Sequence, residues 1–323
     1  MIPLADFLQL DLPALTVGVL SALCCGLLGN FLVLRRQSLV GDAMSHVALP
    51  GIVLGFLLTG TTASWAMVAG ATAAAVLAVL LIELIVALAR VERGAAMGVV
   101  FTAMFATGVV LLEQSGARNV HIDVQHSLYG NIEGTVWLGA ESLAAFLDAG
   151  QLARLPESIP RLLVVTLLVV ALIILFFKEL KVTTFDPDLA DSLGIPSRWM
   201  SFGLALMVAV AAVAAFEAVG SILVIAMFVC PAATARMLTD DLRRQLWLSA
   251  LAAVLAGLLG YLLAAFGPFW LGFDSSLSAA GMIAVVAGLL QALAMLAAPR
   301  YGVLPRHWRR RRARRGMRSE NTA

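Results

Sequence analysis

Apolar residues along this chain fall into nine blocks, separated by short charged or proline- and glycine-containing segments. The blocks cover residues 13–34, 38–58, 64–89, 95–112, 160–177, 199–216, 219–236, 246–267 and 276–297. Each approaches the roughly 17–25 residues that a helix needs to cross the hydrocarbon of a bilayer. The pattern predicts an all-α polytopic membrane protein with about nine transmembrane helices. Tryptophans 65, 199, 247 and 270 stand at block ends, where interfacial anchors belong.

Charge fixes the expected orientation. Nine crossings place the termini on opposite sides. With the N-terminus outside, all 22 basic residues except Arg118, Arg154 and Arg161 fall on the inner side, as the positive-inside rule requires. The C-terminus is then cytoplasmic. Composition agrees, with 61% hydrophobic and 13% charged residues against about 25% charged in soluble domains. Residues 1–298 read as one transmembrane domain. Residues 299–323, with Arg309 to Arg312 in a row, read as a basic, disordered cytoplasmic tail. Such a tail is drawn to anionic lipid at about 1 kcal/mol per basic residue; nucleic acid is the weaker expectation. Cys24, Cys25 and Cys230 all lie in apolar blocks without metal-finger spacing and read as small hydrophobes.

The chemistry concentrates in the second block. Asp42 and His46 are four residues apart, so on a helix their Cβ atoms lie roughly 5–6 Å apart on one face. A carboxylate oxygen and an imidazole nitrogen there can grip one divalent cation. In a soluble helix the pair would read as an ordinary surface pair, but ionisable groups inside hydrocarbon are costly and usually functional. Pro50 lacks an N–H, which frees the carbonyl of His46 and predicts a bend. Pro231 does the same deep in the seventh block, where Ser221, Thr234 or a neighbouring helix must satisfy the carbonyl of Met227.

Other polar positions carry weaker signals. Glu83, near the inner end of its block, is expected to reach the inner boundary or pair with an arginine. The Gly-, Ala- and Thr-rich stretch from Gly94 to Leu112 suits an interior helix. His121, Asp123 and His126 have ligand-type side chains and also read as a polar loop. Residues 137–148 have the pattern of an amphipathic interfacial helix. In the inner loop, Asp186 is placed to cap a helix that Pro187 begins and Gly194 ends. That two-turn helix, with Phe185, Asp188 and Leu189, would lie at the cytoplasmic surface as a docking element or a plain connector.

Several of these strings resemble the membrane permease subunit of bacterial manganese, zinc and iron-chelate ABC importers. They are GNFLVLRRQSLVGDAMSHVALPGIVLGFLL at residues 29–58, the stretch 94–112, Asp123 to Asn131, the Phe185-Asp186-Pro187 loop to Gly194, Val219 to Leu238, and Asp274 to Ala287. The resemblance implies half of a transmembrane pore in the inner membrane. It would work with a second permease subunit (an identical copy or a paralogue), two cytoplasmic ABC ATPases and an outer metal-binding protein. It places Asp42 and His46 in the metal path and makes 185–194 the coupling helix. Asp123 and His126 stay candidate ligands on their side chains alone, and Asp274 lies in a matching string, although Ser275-Ser276-Leu277-Ser278 departs from the family's usual string there and weakens its claim. The segment 132–159 is longer than usual.

The chain holds no G-x-x-x-x-G-K-[ST] motif, so ATP hydrolysis would belong to partner chains. Manganese, zinc or iron would be cargo, with no permanent cofactor; oxygen and imidazole ligands admit all three. A proton-coupled secondary transporter using Asp42 and His46 as a relay is the alternative. An intramembrane metalloenzyme would need further ligands that the sequence does not cluster.

Overall fold

The computed structural model describes residues 4–61, 64–114, 132–140, 145, 148–270, 272, 277–298 and 301–303; for Asp42, Ser45, Ser64, Ala149, Ile222 and Trp270 it describes the backbone alone. A short helical lead over residues 4–11 enters α1 (Leu12–Leu34). There follow α2 (Val40–Thr59), α3 (Ser64–Ala89), α4 (Arg93–Gln114), α5 (Ala149–Leu152), α6 (Ser158–Leu175) and α7 (Phe177–Phe185). The chain continues through α8 (Pro187–Ser192), α9 (Ser197–Leu238), α10 (Leu242–Trp270) and α11 (Ala279–Ala297). No strand occurs among the described residues.

Among the described residues seven stretches are long and apolar enough to cross a membrane: Phe7–Leu34, Trp65–Ala89, Arg93–Gln114, Ser158–Leu175, Ser197–Ser221, Leu242–Phe269 and Ala279–Ala297. His46–Thr59 and Leu223–Leu238 are shorter apolar helices. α2 opens on the polar turn from Gly41 to His46, so its apolar part is short. α9 departs from helical angles at one residue, Gly220, with φ 76° and ψ 166°. The sequence marks Pro231, and not this glycine, as a kink. Pro231 lies inside the helical second half of α9. The Gly220 conformation is one that glycine alone reaches at low cost. Among the described residues the buried Thr234 Oγ1 has no hydrogen-bond partner, so it does not serve the Met227 carbonyl.

α1 is apolar all round and is the central helix. Cys24, Cys25, Leu28, Phe31 and Leu32 are fully or almost fully buried, in a helix packed among α6, α9 and α10. Small residues let backbones touch. A methyl group at Gly29 would overlap the carbonyl of Phe228 on α9, and one at Gly51 would lie 2.5 Å from the Gly70 carbonyl oxygen on α3. Between α1 and α10, Gln245 donates to Asn30 Oδ1 at 3.1 Å and Ser249 to the Gly26 carbonyl at 2.9 Å.

The helix ends gather into two groups. At one end Arg35 reaches α7 and α9, Arg93 pairs with Glu83 at 2.8 Å, and Tyr301 donates to Asp240. At the other, Tyr261 donates to Asp11 at 2.7 Å, Glu133 accepts from the Ala279 N–H, and Arg161 pairs with Glu217. The exposed Trp65, Trp199 and Trp247 match their expected anchor positions.

Two expectations need correction. The stretch 94–112 is peripheral in this chain. α4 buries Ala96, Met97, Val100 and Gly108 against α2 and α3 and leaves its other face open. Residues 137–140 are turns, not the start of a helix. Trp137 is buried beside Leu8, Ala140 and Ala145. Its backbone N–H donates to the Gln9 carbonyl and its ring N–H to the Gln151 carbonyl. Burial of one indole with both donors satisfied outweighs the amphipathic periodicity. Residues 141–144, 146 and 147 of that stretch lie outside the described residues.

Gly29→Ala is expected to destabilise the fold by about 1–3 kcal/mol through overpacking. Thermal unfolding in detergent, read by size-exclusion chromatography, checks this. Gly288→Ala, where a methyl meets nothing within 4 Å, should leave the transition in place.

Candidate metal path and docking segment

The first turn of α2 positions the candidate ligands. Val40 is buried, and a methyl at Gly41 would strike the Phe228 ring at 2.6 Å. α9 therefore holds this turn close. Backbone continuity through α2 keeps Asp42 and His46 one turn apart on a helix, although the Asp42 side chain lies outside what is described. His46 is half-buried. Its ring stands 5.5 Å from Phe101 and 5.7 Å from Phe105, tilted 34° and 81°. Both phenylalanines belong to α4. Pro50, one turn on, packs on α4 at Gly108, where a methyl would come within 2.8 Å of its Cβ. The imidazole thus lies between α2 and the sparsely covered α4.

Among the described residues no group of three or more His, Cys, Asp and Glu could hold a metal ion. Two ligands from one chain can form only a weak, partly hydrated site. Such a site releases an ion readily, as befits a path for cargo. Asp123, His126 and Asp274 lie outside the described residues, as does the tail from 304 onward.

The loop helix forms as its sequence requires. Asp186 Oδ1 accepts the Leu189 N–H at 3.0 Å, with Pro187 at the first helical position. At the other end Ile195 N–H bonds the Ala190 carbonyl at 2.9 Å and Gly194 N–H the Asp191 carbonyl at 3.1 Å. With Gly194 at φ 80°, this is a complete Schellman stop. The Asp191 carboxylate accepts both the N–H and the hydroxyl of Ser197, at 2.9 Å each, joining α8 to the start of α9. Phe185, Leu189 and Leu193 are 53%, 47% and 62% exposed. The helix is thus short, capped at both ends, and leaves apolar side chains open to its surroundings.

Arg35 anchors this segment to the core. Its Nε donates to Thr184, one terminal nitrogen to Thr183 and the other to Ser201, at 2.9–3.1 Å. Burial, and after it the charge of Arg93, pulls its pKa down to about 10. The sequence marks Arg35 only as an inner charge; its three hydroxyl partners lie on other elements and leave no one-dimensional signal. The same holds for Phe101 and Phe105 beside His46.

The model of the ABC 3 transport family matches residues 7–137 and 140–298. The chain is 40% identical over 296 residues to the manganese transport system membrane protein MntD of Bacillus subtilis, covering 91% of this chain and 94% of that one. It is 40% identical over 290 residues to the zinc transport system membrane protein TroD of Treponema pallidum, covering 90% and 74%. Among solved structures it is similar to PsaBC from Streptococcus pneumoniae in complex with Fab. There the TM-score is 0.69 at 26% identity, over 90% of this chain and 92% of that one. With seven helices of crossing length and these relatives, the chain is a multi-pass protein of the bacterial inner membrane. It belongs to the ABC 3 transport family, as a membrane permease subunit of a metal ABC importer and not itself an enzyme.

Proposed function

We propose that the chain is half of the pore of an ATP-driven importer of divalent manganese, zinc or iron, working by alternating access. The observation that carries this reading is the near full-length likeness to a manganese and a zinc permease. An outer binding protein delivers the ion. It passes Asp42 and His46 as two permease subunits rock against one another, driven by partner ATPases. The relay alternative has no observation in its favour.

Several features support the finer parts. The alternation of helix ends between the two groups supports nine crossings, counting α9 twice. Arg35, Arg93 and Arg198 at one end support an outer N-terminus and a cytoplasmic C-terminus. The open face of α4, with Gly94, Gly98, Thr102 and Ala106 exposed, supports a second permease subunit packed there, which would line the ion path beside His46. The caps and exposed apolar side chains of α8 support its role as the coupling helix for an ATPase. Residues 1–298 form the permease domain, and the tail from 299 associates with anionic lipid.

Asp42→Ala and His46→Ala should each lower metal uptake at least about tenfold, which is 1.4 kcal/mol, in vesicles that contain the ATPase and binding protein. Membrane insertion and ATPase association should persist. Normal transport by both variants would remove this pair from the ion path.

Leu189→Asp keeps both caps of α8 and puts a charge on its exposed apolar side. The ATPase should then fail to co-purify with an otherwise folded permease. Retention of ATPase at wild-type stoichiometry would show that α8 does not dock it.

A further inference from the structure

Beside α8 lies a cleft of about 410 Å³ whose lining includes Arg35, Arg93, Arg198, Thr184 and Ser201, with no acid among the described lining residues. Its chemistry is donor-rich. Thr184 and Ser201 accept from Arg35 through their hydroxyl oxygens, which leaves each O–H proton free to turn toward the cleft. Arg35 uses three of its five N–H groups on these hydroxyls and Thr183. Arg93 is engaged by Glu83, and Arg198 is exposed. Neutral partners hold the half-buried Arg35 with a second guanidinium nearby, an arrangement that favours an anion in the space between them.

The cleft does not end in water alone. Arg198 also lines a second, mostly apolar groove of about 350 Å³ with Leu80, Leu84, Trp199, Phe202 and Glu83, whose charge is matched by Arg93. Leu80 and Leu84 on α3 are 49% and 52% exposed, and Trp199 is 71% exposed, edge-on to Phe202 at 6.2 Å. A basic, hydroxyl-lined cleft thus meets an apolar groove at one arginine, with a tryptophan at the junction. A free phosphate would use only the cleft, and an acidic protein side chain would have no use for the groove. A phospholipid uses both.

We propose that this paired cleft and groove is a binding site for one anionic glycerophospholipid, its phosphate among Arg35, Arg93 and Arg198 and an acyl chain along Leu80, Leu84 and Phe202. Assigning it to the cytoplasmic leaflet rests on the orientation proposed above; the site itself does not. It is distinct from any attraction of lipid to the arginine tail. A lipid seated here would touch α3, α9 and the Thr184 end of α7 together, beside the helix proposed to receive the ATPase.

Native mass spectrometry of the full-length permease, titrated with phosphatidylglycerol or phosphatidylcholine, tests it. One phosphatidylglycerol should bind in preference to phosphatidylcholine. Arg198→Gln should weaken it about fivefold, the effect of one basic residue near a lipid surface, and Ser201→Ala should weaken it in the same direction. Arg244→Gln, an exposed arginine outside the cleft, should leave it unchanged, and the tail is common to all variants. Equal binding of both lipids, or equal loss in the Arg244 and Arg198 variants, would overturn the site. Displacement of phosphatidylglycerol by millimolar inorganic phosphate would make it a free-anion cleft. Unchanged lipid binding with lost ATPase co-purification in Arg198→Gln would assign it to a protein partner. Either of these last results also overturns the proposal.

Discussion

The contact between the Phe228 ring and the backbone at Gly41 fixes the turn that carries the candidate ligands. Gly41 immediately precedes Asp42, and Phe228 also leans on Gly29 of the central helix. One aromatic residue of α9 therefore ties α1, α9 and the polar turn of α2 together. Lipid tails are as apolar as leucine, so burial alone gives helices no reason to prefer one another to lipid. Close backbone contact at glycine supplies that preference. The pair Gly51 and Gly70 repeats the device between α2 and α3, so α2 is gripped at both its polar and its apolar end.

The two ends of the bundle are held by different chemistry. Near one end the core uses neutral groups: Asn30, Gln245 and Ser249 satisfy one another and the Gly26 carbonyl. Outside them stand the charges, with Arg35 fastened to hydroxyls and Arg93 to Glu83. At the opposite end, Asp11 with Tyr261 and Glu133 with the start of α11 fasten the lead and the long connecting segment to the helices. Neutral hydrogen bonds inside and charged groups at the rim is the order expected where desolvation of a charge costs far more than that of an amide.

Much of this was legible in the chain itself. The apolar blocks and both caps of α8 follow from local pattern, because hydropathy and turn chemistry act over a few residues; for Glu83 the pattern left two roles open, and the structure shows the pair with Arg93. Asp42 and His46 stand out because charge is rare inside apolar blocks. What surrounds them is not legible: Phe101 and Phe105 read as ordinary apolar positions until α4 is laid against α2. Trp137 shows the opposite failure, a convincing amphipathic pattern overruled by one deep pocket. The openness of α4 also escapes a single sequence, since small residues suit contact with another subunit as well as with the chain's own core.

Gly220 carries a final consequence. α9 holds 42 residues, and at 1.5 Å per residue an unbroken rod of that length would measure roughly 63 Å, about twice the hydrocarbon thickness. The absence of a side chain at residue 220 lets the backbone leave helical angles there, so that this length is divided into two helical halves. The division of the longest helix among the described residues is thereby delegated to the smallest side chain in the genetic code.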